Sequence, residues 1–246
     1  MAALAETDRR PPALAGRLDA IDWRGVEEQL DAWGHATTGP LLTPAEAREV
    51  RGWYAEAERF RARIVMRRHG FGEGEYQYFA NPLPELIADL RRLVYPRLAG
   101  IANRWQQALG LPQRFPAELE AYLAACHEAG QRRPTPLLLK YGPGDYNRLH
   151  QDLYGALHFP LQMAILLSAS GRDFEGGEFV LTEQRPRSQS RADVVPLSQG
   201  EAVIFAVNHR PAAGARGFFR LTMRHGVSRV RSGERYTLGI IFHDAA

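Results

Sequence analysis

The chain has 246 residues, 45% of them hydrophobic and 24% charged, with a formal net charge of +3. That length can bury a real core in one large domain, and so small a charge excess argues against a strong phosphate-binding stripe. The single Cys126 excludes an intrachain disulfide and suits a reducing compartment, and no apolar run approaches the ~20 residues of a membrane span.

The N-terminal stretch MAALAETDRRPPALAG carries charges and prolines where a signal peptide needs an apolar core, so a cytoplasmic location is expected. Lys140 is the only lysine, a bias toward arginine that we attribute to coding ahead of phosphate recognition. Thr43-Pro44-Ala45-Glu46 is a capping box with proline at the first helical position. The helix it starts has Ala47, Val50, Tyr54, Ala57 and Phe60 as its apolar stripe. A second helical region covers about 84–109, where Pro96 should kink or split it and Gly110 should stop it. RHGFGEGEYQYFANPLP, residues 68–84, is too rich in glycine and aromatics to read as regular structure. A third helix is expected over Glu118 to Glu128, where Cys126 reads as a core residue, before QRRPTP breaks the chain.

Beyond that break the signal turns to strands. LLLKY, LQMAILLS, GEFVLTE, EAVIFAV, FFRLTMRHG and RYTLGIIF are short apolar runs between turn residues, with no helical pattern separating them. The expected fold is α+β: a jelly roll (double-stranded β-helix) in the C-terminal half with N-terminal helices packed on it. We expect one domain over 1–246, with 1–134 a mainly helical support region and 135–246 the catalytic core.

Within YGPGDYNRLHQDLYG, His150 and Asp152 stand two residues apart after a glycine-rich turn. On an extended strand they project from one face about 7 Å apart, and both can reach one ion. A third ligand must come from a later strand. His158 is too close in sequence, His209 lies in NHRPAAGARG, which reads as a hairpin loop, and His243 follows the last strand. His225 ends a β run and is the favoured ligand, with His209 its competitor. Two imidazoles and one carboxylate make the facial triad of non-haem Fe(II) oxygenases, which leaves coordination positions open. On RYTLGIIF, Arg235, Thr237, Gly239 and Ile241 share the face opposite Tyr236, Leu238, Ile240 and Phe242. The apolar set should meet the helices. An inward arginine needs an anion, and its planar fork fits a carboxylate; Arg229 and Arg231 compete with Arg235 for that role.

His150-X-Asp152, His225 and Arg235 resemble the H-X-D…H…R/K pattern of the 2-oxoglutarate/Fe(II)-dependent oxygenases. YGPGDYNRLHQD, GGEFVLTE and QGEAVIFAV extend the resemblance, toward the prolyl 4-hydroxylase-like group, over roughly residues 135–245. It implies that His150, Asp152 and His225 hold Fe(II), and that 2-oxoglutarate and O2 are co-substrates. It further implies that Arg235 binds the distal carboxylate with help from Thr237 or Tyr141, although Tyr141 also reads as core packing. The expected reaction is hydroxylation of a C–H bond with release of succinate and CO2. For the substrate, a protein side chain of the prolyl type or an amino acid ranks first. Oxidative dealkylation of nucleobases in DNA or RNA ranks second and a non-catalytic cupin-like sensor last, with other small molecules also open. The aromatics Phe71, Tyr76, Tyr78 and Phe79 read either as a substrate lid or as loop anchors.

Overall fold

Two antiparallel sheets enclose the middle of the molecule, and helices cover the larger one. The structure, a computed structural model, describes residues 13–185, 187–215 and 217–246. Most of the N-terminal stretch MAALAETDRRPPALAG therefore lies outside the described residues. The first half contains α1 (Leu14–Asp19), α2 (Trp23–Trp33), α3 (Pro44–Gly52), α4 (Glu85–Ala108) and α5 (Leu119–Glu128). It also contributes four strands, β1 (His35–Pro40), β2 (Phe60–Val65), β3 (Gly72–Glu73) and β4 (Glu75–Phe79). The second half supplies β5 (Leu137–Tyr141), β6 (Tyr146–His150), β7 (Leu161–Leu166), β8 (Phe174–Gly176), β9 (Phe179–Gln184) and β10 (Ser190–Val195). It ends with β11 (Glu201–Ala206), β12 (His209–Gly214), β13 (Gly217–Val227), β14 (Val230–Gly233) and β15 (Arg235–Ile240).

The larger sheet runs β1-β11-β7-β15-β5-β4-β2 and the smaller β10-β9-β13-β6-β3, with β12 beside β13. All six runs expected as strands are strands. The first half is less helical than its sequence indicates, because β1 pairs with β11 and β4 with β5. Residues 68–84 likewise hold β3 and β4, whose missing hydrogen-bond partners come from strands far along the chain.

The helices follow their caps. Thr43 accepts from the Glu46 N–H at 3.2 Å and Glu46 returns to the Thr43 N–H at 2.7 Å, completing the capping box. α3 then stops at Gly52, so the expected stripe is α-helical only as far as Val50; Tyr54 and Ala57 fall in short 3-10 turns, and Phe60 opens β2 instead. α4 runs unbroken through Pro96. A proline in a helix interior, which loses a backbone hydrogen bond and crowds the preceding turn, costs ~3 kcal/mol. Burial of Leu90, Val94, Tyr95, Leu98 and Trp105 on the same helix offsets it. These side chains join Tyr236, Leu238, Ile240 and Phe242 in the main core, on the face of β15 expected to meet the helices.

The C-terminal segment is fastened inside this layer. Arg91 of α4 pairs with Asp244 at 3.0 Å and donates to the Ile241 carbonyl at 2.9 Å. Asp244 also meets His127 Nε2 at 2.9 Å. Both members of the Arg91–Asp244 pair have side chains only 4% exposed. Asp244→Ala should therefore strand a buried guanidinium and cost about 3–5 kcal/mol. A lowered urea midpoint with an unchanged slope is the expected result. A wild-type midpoint would show that the pair does not hold the terminus.

Candidate metal and co-substrate site

His150 closes β6, Asp152 follows just beyond the strand end, and His225 stands directly opposite His150 in the β13–β6 register. The two imidazole rings are 4.2 Å apart. Asp152 reaches both: one carboxylate oxygen is 3.4 Å from His150 Nε2 and the other 3.3 Å from His225 Nε2. One ligand atom from each residue lies within 4.8 Å of the others. Ligands about 2.1 Å from one ion stand about 3 Å apart at right angles, so this spacing accepts a single ion.

The ring hydrogen bonds orient the ligands. His150 Nδ1 donates to the Arg148 carbonyl at 2.7 Å, which turns Nε2 toward Asp152. Burial lowers the His150 pKa, but the hydrogen bond to Asp152 outweighs it and the net shift is upward. Burial, and then the neighbouring charge of His150, lower the His225 pKa and favour the neutral, ligating form. Desolvation pushes the Asp152 carboxyl upward, but hydrogen bonds from His150 and His225 outweigh it and hold the group well below the usual range. His225 also packs on Phe205 at 4.6 Å and Phe179 at 6.1 Å, which fixes its ring.

The other histidines stay out of this cluster. His209 opens β12 and is paired with Thr222. His158 contacts Asn208 at 3.3 Å, and His243 is buried, accepting from the Phe159 N–H at 3.2 Å.

A cavity of about 440 Å³ extends from the triad between the sheets, with Arg235, Thr237 and Tyr141 in its wall. Arg235 pairs with Tyr141 in the β15–β5 register. The guanidinium is 2% exposed, donates through Nη1 to the Thr237 hydroxyl, and has no ion pair among the described residues. Its Nε–H and the Tyr141 hydroxyl lack hydrogen-bond partners. Desolvation lowers the Arg235 pKa to about 10, leaving it cationic at neutral pH. Gly239 keeps the wall open beside it, since a Cβ there would come within 2.8 Å of Leu137. A buried cation and two orphaned donors in one cavity fit a dicarboxylate such as 2-oxoglutarate. The competing arginines do not line the cavity: Arg229 is exposed, and Arg231 lies 3.8 Å from Glu178 with its side chain 60% exposed.

Several residues in and behind the cavity wall had no local signal in the sequence. The Tyr154 hydroxyl donates to Asp152 at 2.8 Å. The Gln131 amide donates to the carbonyls of Tyr154 at 3.1 Å, Leu157 at 2.8 Å and Asp244 at 2.6 Å, bracing the segment after Asp152. Gln162 lines the cavity, and its buried Nε2 has no hydrogen-bond partner. Nothing near Tyr154 or Gln131 in the sequence announced these roles. Tyr76 and Tyr78 share one face of β4 and line the cavity, whereas Phe79 faces the core beside Phe60 at 4.9 Å. β4 is hydrogen-bonded between β2 and β5, so this aromatic segment is a wall as well as an anchor. Phe71, 46% exposed and stacked on His69 at 5.3 Å, stands at the cavity edge.

A facial triad facing a buried arginine inside a jelly roll defines the 2-oxoglutarate/Fe(II)-dependent oxygenase class. Residues 74–245 match the sequence model of Oxygenase-NA, described as an oxygenase catalysing oxidative methylation of damaged DNA, and the chain belongs to that family. An uncharacterized protein of Mycobacterium tuberculosis is 51% identical over 168 residues, covering 68% of this chain and 72% of that protein. Among solved structures, a Pseudomonas putida prolyl-4-hydroxylase aligns with TM-score 0.53 at 16% identity, over 91% of this chain and 99% of that one. A Burkholderia pseudomallei oxidoreductase of the 2OG-Fe(II) oxygenase family aligns with TM-score 0.50 at 18% identity, over 92% and 94%. At these identities the two structures establish a shared fold.

Two outcomes follow from the geometry. Arg235→Ala should weaken 2-oxoglutarate binding by about 2–5 kcal/mol, the loss of a buried charged contact, while metal affinity changes little. Anaerobic titration measures both, and equal 2-oxoglutarate affinities would move the role to another residue. Tyr154→Phe should lower metal affinity about 10–100-fold, as loss of a partner behind a ligand does. Asp152→Ala sets the lower limit in the same Co(II) absorption titration. Wild-type affinity in Tyr154→Phe would mean that Asp152 is held by other contacts.

Proposed function

We propose that this oxygenase removes alkyl groups from nucleobases, with His150, Asp152 and His225 as iron ligands and Arg235, Thr237 and Tyr141 as the 2-oxoglutarate site. Fe(II), 2-oxoglutarate and dioxygen together supply the oxidising power that hydroxylates a C–H bond, with succinate and CO2 released. The chain's own residues arrange that chemistry. Arg235 and Thr237 receive the distal carboxylate of the co-substrate. The Arg148 carbonyl and the Tyr154 hydroxyl hold His150 and Asp152 in ligating orientation. Tyr76, Tyr78, Phe179 and Phe205 give the cavity apolar walls that limit water near the reacting carbon.

The substrate assignment rests on one observation above the family description: an aromatic-lined cavity of about 440 Å³ that carries an unpartnered amide, Gln162 Nε2. Flat walls suit a flat base, and a buried amide donor can read an acceptor on its edge. Hydroxylation of an N-alkyl carbon gives a hemiaminal, which expels an aldehyde and returns the N–H of the base. The likeness to prolyl hydroxylases is one of fold, so side-chain hydroxylation of a peptide or amino acid is the alternative outcome of the test.

The discriminating experiment offers the Fe(II)-loaded protein an N-methylated oligonucleotide, the matching free nucleosides and proline-containing peptides. Formaldehyde and succinate in equal amounts from the methylated base are expected. Hydroxylated peptide, with the methylated base untouched, would sink the nucleobase reading and leave the oxygenase class standing.

A further inference from the structure

The smaller sheet turns one face to the cavity and the other outward, and the two faces differ in charge. Along β13 the buried residues Leu221, Met223 and His225 alternate with the more exposed Arg220, Thr222 and Arg224. Neighbouring β9 places Val180, Thr182 and Gln184 in the outward phase, with Thr182 opposite Arg224 and Gln184 opposite Thr222. β10 continues that phase with Ser190, Ala192 and the 59%-exposed Val194. None of these three strands presents an aspartate or glutamate outward among the described residues.

The nearby acids are already engaged. Glu183, in the inward phase of β9, holds the buried Arg210 and also meets Arg191 at 3.5 Å. Glu178, just before β9, accepts from the Ser228 hydroxyl. Glu73 of β3 pairs with Arg67 at 2.7 Å. Arg220 and Arg224 have no ion pair or side-chain hydrogen bond among the described residues, and they stand about 13 Å apart on one strand. Exposed arginines more often find a carboxylate on their own surface, as Arg97 does with Asp19 at 2.8 Å. Here a row of them is left to solvent.

The row leads to the cavity. Past Arg224, Gly226 lets β6 approach so closely that a Cβ there would lie 3.2 Å from the Arg148 backbone. Exposed Arg148 and the 46%-exposed Leu149 follow, immediately before the ligand His150. The Arg148 N–H donates to the Phe71 carbonyl at 2.8 Å, which brings the Phe71–His69 stack alongside. Cationic side chains on an acid-free face, ending in exposed apolar groups beside a catalytic cavity, match a polyanion that carries stacking bases.

We propose that the outward face of the smaller sheet is the track for the sugar-phosphate backbone of a nucleic-acid strand, with Arg220 and Arg224 as its phosphate contacts. The proposal rests on the nucleobase reading of the cavity and adds the surface that delivers the base to it. Backbone contacts of this kind fix register without reading sequence, so binding should be strongly salt-dependent and tolerant of sequence. Leu149 and Phe71 stand where the strand meets the cavity mouth.

The test uses the full chain and an unmodified, fluorescently labelled single-stranded oligonucleotide, with anisotropy read across a salt series. Arg220→Gln/Arg224→Gln is compared with wild type and with Arg48→Gln, which removes an exposed charge on α3. Each lost phosphate contact should lower the log–log salt slope by about 1, so the double variant should lose about 2. Arg48→Gln should bind as wild type does. Oxidation of a free N-methylated nucleoside, which needs no backbone contact, should be unchanged in both variants. Equal slopes and affinities for wild type and the double variant would overturn the track while leaving the nucleobase reading intact. A wild type that binds no strand and oxidises only peptides would remove the reading and the track together.

Discussion

Arg235 is 2% exposed, yet no carboxylate of the described chain neutralises it. Moving a guanidinium out of water costs several kcal/mol unless an anion or a full set of hydrogen bonds replaces the lost hydration. Thr237 accepts one of its donors, the Nε–H has no partner, and the ring faces of Tyr141 and Phe174 lie 5.7 and 6.0 Å away. The sheet bears this cost because β15 is locked between β5 and β7, and burial of Tyr236, Leu238 and Ile240 on the other face holds it there. A strand so fixed cannot turn its arginine to solvent. The cavity is thereby prepared for an anion, and the surrounding architecture can be understood as the means of presenting that anion to the triad.

The triad is presented by the same economy of strand geometry. Antiparallel pairing of β13 with β6 places His225 opposite His150, and a register shift follows before Val227 pairs with Asn147. Asp152, two residues further on, would be free to wander at a strand end. Tyr154 and the Gln131 amide restrain it, linking the metal loop to the end of α5 and to the C-terminal segment. Helical and sheet layers thus both reach the ligands, and residues more than a hundred positions apart hold one carboxylate in place.

Short-range chemistry was the part legible in the sequence. His150-X-Asp152 announces itself because two ligand types occur at strand spacing, and Arg235 because an arginine interrupts the cavity-facing side of an otherwise apolar strand. Both signals lie within a few residues. β6 was legible only through the His150–Asp152 spacing at its end, since Arg148 and Leu149 are both exposed and the alternation fails there. β1 was missed because its partner, β11, lies about 165 residues away and its own HATTGP has no apolar alternation. β4 was hidden by its glycine neighbours, although Tyr76 and Tyr78 already stood in phase. Pro96 misled in the opposite direction: local propensity opposed a continuous α4, and packing along its buried face prevailed.

Charge shows the same limit at the scale of the whole surface. A net charge of +3 reads as nearly neutral, which by itself weighs against a polyanionic partner. The fold sorts those charges. Carboxylates such as Glu183, Asp244 and Glu46 are drawn into pairs with Arg210, Arg91 and Arg17, where they brace the interior and the caps. Each such pair removes an acid from the surface balance, and the arginines left over need not be spread evenly. On β13 the period of two segregates them further, with catalytic and apolar side chains inward and arginines outward. A chain close to neutrality can therefore present one acid-free face. Because that face is the back of the sheet that carries His225, a strand lying along it would leave the metal ligands where they are.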